Sequence, residues 1–131
     1  MYTNTLKLNN GVEIPQLGLG TWFIDDDKVA DAVKAAVEIG YRHIDTAQAY
    51  GNERGVGEGV RTCGIPREEL FVVSKVAAEH KTYEDAARSI NETLEKMGLD
   101  YLDMMIIHSP QPWVEVNQSE NRYVEGNRAA W

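Results

Sequence analysis

Residues 40–53 read GYRHIDTAQAYGNE, and this stretch decides the fold of the chain. Gly40 can end a helix, and the residues after it predict a short strand that ends at the carboxylate of Asp45. Five residues further on, Tyr50 offers a phenol on a short polar loop that precedes another helix. Parallel α/β proteins present their chemistry in this way, at the carboxyl end of a strand and in the loop that follows.

The size and charge of the chain limit what it can be. Its 131 residues suffice for one domain with a real core, so we expect a single domain over 1–131 and no second one. The hydrophobic share of 43% and the charged share of 26% are typical of a soluble globular protein. The net charge of −8 disfavours broad binding to nucleic acid or to an anionic membrane, although a local basic pocket can still hold an anionic cofactor.

The composition also points to a cytoplasmic protein. Cys63 is the only cysteine, so no internal disulfide is expected, and its place at a helix end predicts a small half-buried side chain. The first residues lack a signal pattern, and no apolar run reaches the roughly 18 residues that a membrane helix needs. The three acids at 25–27 lack the spacing of a calcium loop, so we interpret them as residues that start a helix and expect no metal site.

Strands and helices are predicted to alternate along the chain. A hairpin at 5–15, with Asn10-Gly11 at its tip, precedes strands near 17–20, 41–45, 70–75 and 102–107. Helices are predicted between them, at 25–39, at 53–63 and from 82 to 97. Right-handed crossovers would place these four strands parallel and side by side. The glycines at 55, 57 and 59 have GxGxG spacing rather than GxGxxG, so they predict close helix packing, not a nucleotide loop.

Three ionisable residues end three successive strands. Thirty residues separate Asp45 from Lys75, and 33 separate Lys75 from His108, which is one βα unit each time. Each residue alone has an ordinary explanation, as a turn former, a solvated cation or a satisfied core histidine. Together, at matched strand ends, they predict one site at the carboxyl rim of the sheet.

The chemistry of this set suits the reduction of a carbonyl group. An ammonium at Lys75 would favour release of the Tyr50 proton, Asp45 would pair with Lys75, and His108 could orient a substrate oxygen. A second interpretation makes Lys75 a Schiff-base nucleophile of an aldolase, with Asp45 and Tyr50 moving protons. A lysine beside an aspartate stays charged, which makes that interpretation weaker.

The residues that carry the chemistry also resemble a known family. The motifs NGVEIP at 10–15, LGLGTW at 17–22, the stretch 40–53, SK at 74–75 and IIH at 106–108 are together similar to the N-terminal half of an aldo-keto reductase. The resemblance covers residues 5–131 and implies a TIM (β/α)8 barrel, here its first four β/α units behind an N-terminal hairpin. It also implies NADPH-dependent reduction of aldehydes or ketones to alcohols. The chain is similar to bacterial members of the 2,5-diketo-gluconate reductase kind, which act on small carbonyls.

The resemblance assigns roles to individual residues. The family's catalytic tetrad falls on Asp45, Tyr50, Lys75 and His108, with Tyr50 as the proton donor. Cofactor contacts are expected from Gly20, Thr21, Trp22 and Asp45, and a substrate pocket from Trp22, Tyr50, His108 and Trp113.

The chain also departs from the family pattern. Ser109 stands where many members have Trp, and residues 76–78 read VAA where many have Leu-Trp, so a larger pocket is expected. Members run to about twice this length, and most of the NADPH-binding residues would lie in the second half. We therefore expect a truncated chain that is inactive alone, or an inactive half-barrel module. Four parallel strands do not close a barrel, so a self-associated, symmetric dimer is expected.

Overall fold

The computed structural model describes residues 3–109, which form a small hairpin and one parallel sheet covered by helices. The strands are β1 (Thr5–Lys7), β2 (Glu13–Pro15), β3 (Leu19–Gly20), β4 (His43–Asp45), β5 (Phe71–Val76) and β6 (Met104–Ile107). The helices are α1 (Val29–Glu38), α2 (Glu53–Thr62) and α3 (Tyr83–Met97), and short 3-10 turns occupy Gln48–Tyr50 and Arg67–Glu69. The sequence also predicts a helix that begins at Asn121, and this segment lies outside the described residues.

The N-terminal hairpin is confirmed. β1 and β2 are antiparallel, with Thr5 opposite Pro15. Gly11 has a φ of 86°, a left-handed conformation that glycine adopts without steric cost, so the Asn-Gly tip forms as predicted.

The parallel sheet is also confirmed, in the order β3-β4-β5-β6 with every pair parallel. β3, which begins at Leu19, and β6, which begins at Met104, are shorter than predicted. β4 is shorter too, since it begins only at His43. The reason is that Gly40 takes a φ of 110° and the Tyr41 amide donates to the Ala36 carbonyl, so this part of the chain still closes α1.

The core lies between the sheet and the helices. Its buried apolar members are Val29, Val33, Val37, Ile44, Val56, Val60, Leu70, Val72 and Met97. The glycines of α2 bring the helices together as predicted. A Cβ at Gly55 would lie 2.1 Å from the Asp26 carbonyl oxygen, and one at Gly57 would lie 2.1 Å from that of Met97.

The acids at 25–27 act differently from the expectation. Lys28 is the N-cap of α1, and no side chain caps that helix. Instead, the Asp26 carboxylate reaches α2, where Oδ1 accepts from the Gly55 amide at 2.8 Å and Oδ2 from Arg54 Nε at 2.7 Å. Asp26 can reach this amide because Gly55 has no side chain to hold the two segments apart.

Over residues 3–109, no helix is long and apolar enough to span a membrane. In the same range, no three His, Cys, Asp or Glu side chains form a group that could hold a metal ion.

Candidate active site

The carboxyl ends of the parallel strands bring the predicted residues together. Gly20 pairs with Asp45, and Lys75 pairs with Ile106. Side chains alternate between the two faces of a strand, and Ile44 belongs to the core under the helices. Asp45 and Lys75 therefore lie on the opposite face, which is the inner face of a barrel.

Lys75 is the centre of this cluster. Its Nζ donates to Asp45 Oδ2 at 2.7 Å, to the Thr46 carbonyl oxygen at 2.8 Å and to the Tyr50 hydroxyl oxygen at 3.2 Å. The Lys75 side chain is 13% exposed and that of Asp45 is 31% exposed, so water screens the pair only in part. An ammonium has three N–H groups, and these three oxygens use all of them.

Tyr50 ends the 3-10 turn that follows β4 and is half-buried. Its ring lies beneath Lys75, with Nζ 4.8 Å from the ring centroid. Its oxygen accepts a hydrogen bond from Lys75, and the hydrogen bonds among the described residues leave the phenol proton without an acceptor. The phenol can therefore donate that proton to a bound molecule.

His108 lies next to Tyr50, beyond the end of β6. The two rings meet edge to face with their centroids 5.8 Å apart, and the His108 amide donates to the Val76 carbonyl. Burial lowers the pKa of His108 below its ordinary value, and the Lys75 cation lowers it further, against smaller opposing effects of Asp45 and Glu79. The imidazole is therefore neutral at pH 7, with one donor and one acceptor nitrogen.

An aromatic wall borders the site on the side of β3. The Trp22 ring stacks on Tyr50 with centroids 6.1 Å apart, and Phe23 stacks on Trp22 at 4.5 Å. Both outer rings are largely exposed. Sequence reasoning did not select Phe23, whose φ of 62° is unusual for a residue other than glycine and which no local motif signals.

The expected cofactor contacts occupy two different environments. A Cβ added at Gly20 would meet no atom of residues 3–109 within 4 Å, so in this part of the chain the inner face is open beside Asp45. Thr21 is fully buried, and both its amide and its hydroxyl donate to the Asp45 carbonyl at 3.0 Å. Its hydroxyl is thus already occupied within the protein. Trp113, predicted for the substrate pocket, lies outside the described residues.

Sequence reasoning missed the buried polar groups behind the rim. Asn52 is 1% exposed, accepts from the Thr46 hydroxyl at 2.8 Å, and donates to the carbonyls of Thr21 and Ile24. It thereby ties the loop after β3 to the loop after β4. In the sequence, Asn52 was indistinguishable from an ordinary loop residue, because the groups it binds are 6 to 31 residues away.

Known proteins resemble this chain in sequence and in fold. The profile described as "Aldo/keto reductase family" matches residues 16–126. The chain belongs to this family. An aldo/keto reductase crystal structure from Brucella melitensis superposes with a TM-score of 0.81 at 43% identity, covering 86% of this chain and 44% of that one. The fold is thus of the TIM-barrel type, of which the described residues form a part.

Named relatives in the aldo/keto reductase family are oxidoreductases. The chain is 48% identical over 108 residues to the 9,11-endoperoxide prostaglandin H2 reductase of Trypanosoma cruzi (strain CL Brener), covering 82% of this chain and 38% of that protein. It is 47% identical over 108 residues to the glyoxal reductase of Bacillus subtilis (strain 168), covering 82% of this chain and 39% of that protein. The chain spans about two fifths of the length of these relatives.

Proposed function

We propose that this chain forms the N-terminal part of an NADPH-dependent carbonyl reductase, in which Tyr50 gives a proton to the oxygen of a small aldehyde or ketone. One observation carries the proposal: the Lys75 ammonium bridges Asp45 and Tyr50 at the carboxyl rim of the sheet. That arrangement matches what the reaction requires, which is a proton donor whose conjugate base is stabilised by a fixed cation.

Each residue has a defined part in this proposal. Tyr50 donates its free proton to the carbonyl oxygen, and the Lys75 ammonium at 3.2 Å stabilises the phenolate that remains. Asp45 holds Lys75 in place at 2.7 Å. His108, neutral at pH 7, can direct an N–H at the same carbonyl oxygen from beside Tyr50 and so orient the substrate.

We place the flat ring of the cofactor against the open inner face beside Asp45. When bound, NADPH supplies the hydride that completes the reduction to an alcohol. Gly20 leaves space beside Asp45, and the exposed Trp22 ring offers an apolar surface at the same rim. Thr21 supports this site from behind, because it holds the end of β4 through the Asp45 carbonyl. We propose the cytoplasm, where NADPH is supplied, as its location.

Small carbonyls are the favoured substrates. The relative from Bacillus subtilis is named a glyoxal reductase. In this chain Ala77, Ala78 and Ser109, which lie close after Lys75 and His108 in the sequence, have small side chains, and we infer from them a wide pocket. Trp22, Tyr50 and His108 would line the pocket, and the assignment of Trp113 to it stays a prediction.

The test combines binding and turnover. NADPH is titrated into the 131-residue chain while protein and nucleotide fluorescence are followed, and NADPH consumption is then measured with glyoxal and other small carbonyls. Tyr50→Phe should lower turnover by on the order of 100-fold or more and leave NADPH binding intact, because it removes only the proton donor. Tyr83→Phe is the matched control, since Tyr83 is 83% exposed on α3. Equal turnover of Tyr50→Phe and the wild type would refute the assignment.

A second candidate is a self-associating half-barrel without turnover. The described strands end at β3 on one side and β6 on the other, and Ile106 and Ile107 of β6 are 40% and 63% exposed. A second copy of the chain would cover this apolar edge. Failure of NADPH to bind, together with association, would favour this candidate over the reductase.

A Schiff-base role for Lys75 has less support. That role needs a neutral amine with a free lone pair, whereas Lys75 donates to three oxygens, one of them a carboxylate. Borohydride trapping of a small carbonyl on Lys75 would reverse this ranking.

A further inference from the structure

Two polar side chains flank Tyr50 in the sequence, the half-buried Gln48 and the buried Glu53, and they bind groups on either side of Lys75. Gln48 precedes Tyr50, and its Oε1 accepts from the Ala77 amide at 2.7 Å. Glu53 follows Tyr50, and its Oε1 accepts from the Ser74 hydroxyl at 2.6 Å. The segment that carries the phenol is therefore fixed at two points, at Ser74 within β5 and at Ala77 directly after that strand.

A single residue of α3 joins these two tethers. The Thr93 hydroxyl accepts from Gln48 Nε2 at 3.1 Å and donates to the Glu53 carboxylate, whose oxygens lie 3.1 and 3.3 Å away. Gln48 Nε2 also donates to the Ser89 hydroxyl at 3.1 Å. Among the described residues this is a continuous chain of hydrogen bonds, from the Ala77 amide through Gln48, Thr93 and Glu53 to Ser74.

Most of the side chains in this network are buried. Thr93 and Ser74 are fully buried and Glu53 is 4% exposed. A buried carboxylate is costly unless hydrogen bonds satisfy it, and within residues 3–109 the partners of Glu53 are hydroxyls rather than a cation. Packing alone would be served as well by apolar residues on this face of α3, where Met97 is buried one turn further on.

We propose that Gln48, Thr93 and Glu53 are positioning residues that hold the Tyr50 hydroxyl at hydrogen-bonding distance from Lys75. The proposal rests on the roles of Tyr50 and Lys75 proposed above. Tyr50 lies on a turn of three residues, and within residues 3–109 its hydroxyl has one hydrogen-bond partner, Lys75. Small movements of such a turn would break that contact, and misplacement by about 1 Å can cost a catalytic site on the order of 100-fold in rate.

Two substitutions at Thr93 separate the hydroxyl from the methyl group. Thr93→Val keeps the shape and removes the link between the tethers, whereas Thr93→Ser keeps the hydroxyl and loses the packing of the methyl group. The probe is the 131-residue chain with 13Cζ-labelled tyrosine, in which the Tyr50 resonance is identified by its loss in Tyr50→Phe. Lys75→Met gives the reference position for a phenol without its ammonium partner.

We expect the Tyr50 resonance to move toward the Lys75→Met position in Thr93→Val and to stay in place in Thr93→Ser. Glu53→Gln should move the resonance in the same direction but less far, because the amide keeps one acceptor oxygen and presents an NH2 donor in place of the second oxygen that Thr93 contacts. Its matched control is Glu58→Gln on the same helix, where the side chain is 47% exposed and faces Arg54. Where turnover is measurable, kcat should fall by on the order of tenfold in Thr93→Val and Glu53→Gln with KM unchanged.

Three results would overturn the proposal: an unmoved Tyr50 resonance in folded Thr93→Val, equal movement in Thr93→Ser and Thr93→Val, or unfolding of both Thr93→Val and Glu53→Gln. The last would assign the network to stability alone. The resonance needs neither cofactor nor substrate, so it decides this proposal even if turnover is absent. Conversely, undiminished turnover in Tyr50→Phe would refute the proposed function and leave the resonance result standing.

Discussion

His108 shows how the environment of one residue defines its chemistry. Partial burial and the Lys75 cation both oppose protonation of the His108 ring. They lower its pKa in the folded chain below the ordinary 6.5. The unfolded chain therefore binds a proton at His108 more readily than the folded chain does. In the pH range between the two pKa values, stability must fall as the pH falls.

The prediction concerns the pH dependence of unfolding. Between pH 7.5 and pH 5 the wild-type chain should lose more stability than His108→Gln, because the variant lacks the group whose protonation favours unfolding. Urea denaturation at several pH values measures the free energy of unfolding of both proteins. The contributions of His43 and His80 cancel in the comparison, because both proteins carry these residues. If the free energy of unfolding changes with pH in the same way in both proteins, the environment assigned to His108 is wrong.

Two glycines are predicted to respond in opposite ways to the same substitution. Gly57→Ala would place a Cβ 2.1 Å from the Met97 carbonyl oxygen, so α2 and α3 must move apart, at a cost of about 1–3 kcal/mol or more. The Cβ of Gly20→Ala would meet no atom of the described residues within 4 Å, so the substitution should leave stability unchanged or slightly higher. It should nevertheless weaken NADPH binding, because it fills the space beside Asp45.

Thermal unfolding and NADPH titration of the two glycine variants check these expectations. A Gly20→Ala variant that binds NADPH like the wild type would remove Gly20 from the cofactor site. A Gly57→Ala variant as stable as the wild type would contradict the helix contact.

At the scale of elements, α2 depends on a residue that precedes α1. Asn52, its N-cap, uses its side chain to bind Thr46, Thr21 and Ile24, so it does not cap its own helix. Asp26 takes over part of that role through the Gly55 amide. Asp26→Ala should therefore cost about 1 kcal/mol, measured as a lower urea midpoint at constant slope.

Asp25→Ala is the control for this prediction. Asp25 pairs with Lys28 on the surface, where both side chains are 70% exposed, so its loss should change the urea midpoint little. If both variants lose the same stability, Asp26 acts through its negative charge alone and not through its hydrogen bond with the Gly55 amide.

The elements themselves were predictable, whereas several of their contacts were not. Gly40, the Asn-Gly tip and the apolar run of β5 act locally, so their sequence neighbours suffice to predict the helix end, the hairpin and the buried strand. The role of Asp26 depends on Gly55, 29 residues later, and that of Gln48 on Thr93, 45 residues later. Such pairings follow from how the elements pack, which periodicity does not encode.

The meeting of the candidate site residues could be predicted from the sequence, whereas the side chains behind them could not. Strand ends at intervals of one βα unit must meet at one rim, so the meeting of Asp45, Tyr50, Lys75 and His108 follows from topology. The tethers behind them do not follow, because Gln48 and Glu53 resemble ordinary turn and helix-start residues in the sequence. Thr93 could have been noticed, since together with Ser89 and Met97 it repeats every four residues along α3.

At the scale of the whole molecule, the described sheet has four strands and two edges, where a closed barrel has none. Ile107 on the β6 edge is 63% exposed. An apolar strand edge of this kind favours pairing with another chain, and a two-fold arrangement would satisfy both copies at once. Association of the 131-residue chain should therefore increase with its concentration.

Sedimentation velocity over a range of concentrations tests this expectation. Ile107→Lys should shift the distribution toward the monomer, because a charge on an edge strand opposes pairing. Ile39→Lys is the matched control: Ile39 is 70% exposed, but it follows α1, which leads into β4 rather than β6. A single monomeric species at all concentrations would refute self-association. If Ile107→Lys and Ile39→Lys reduce association equally, the added charge governs association and its position on β6 does not.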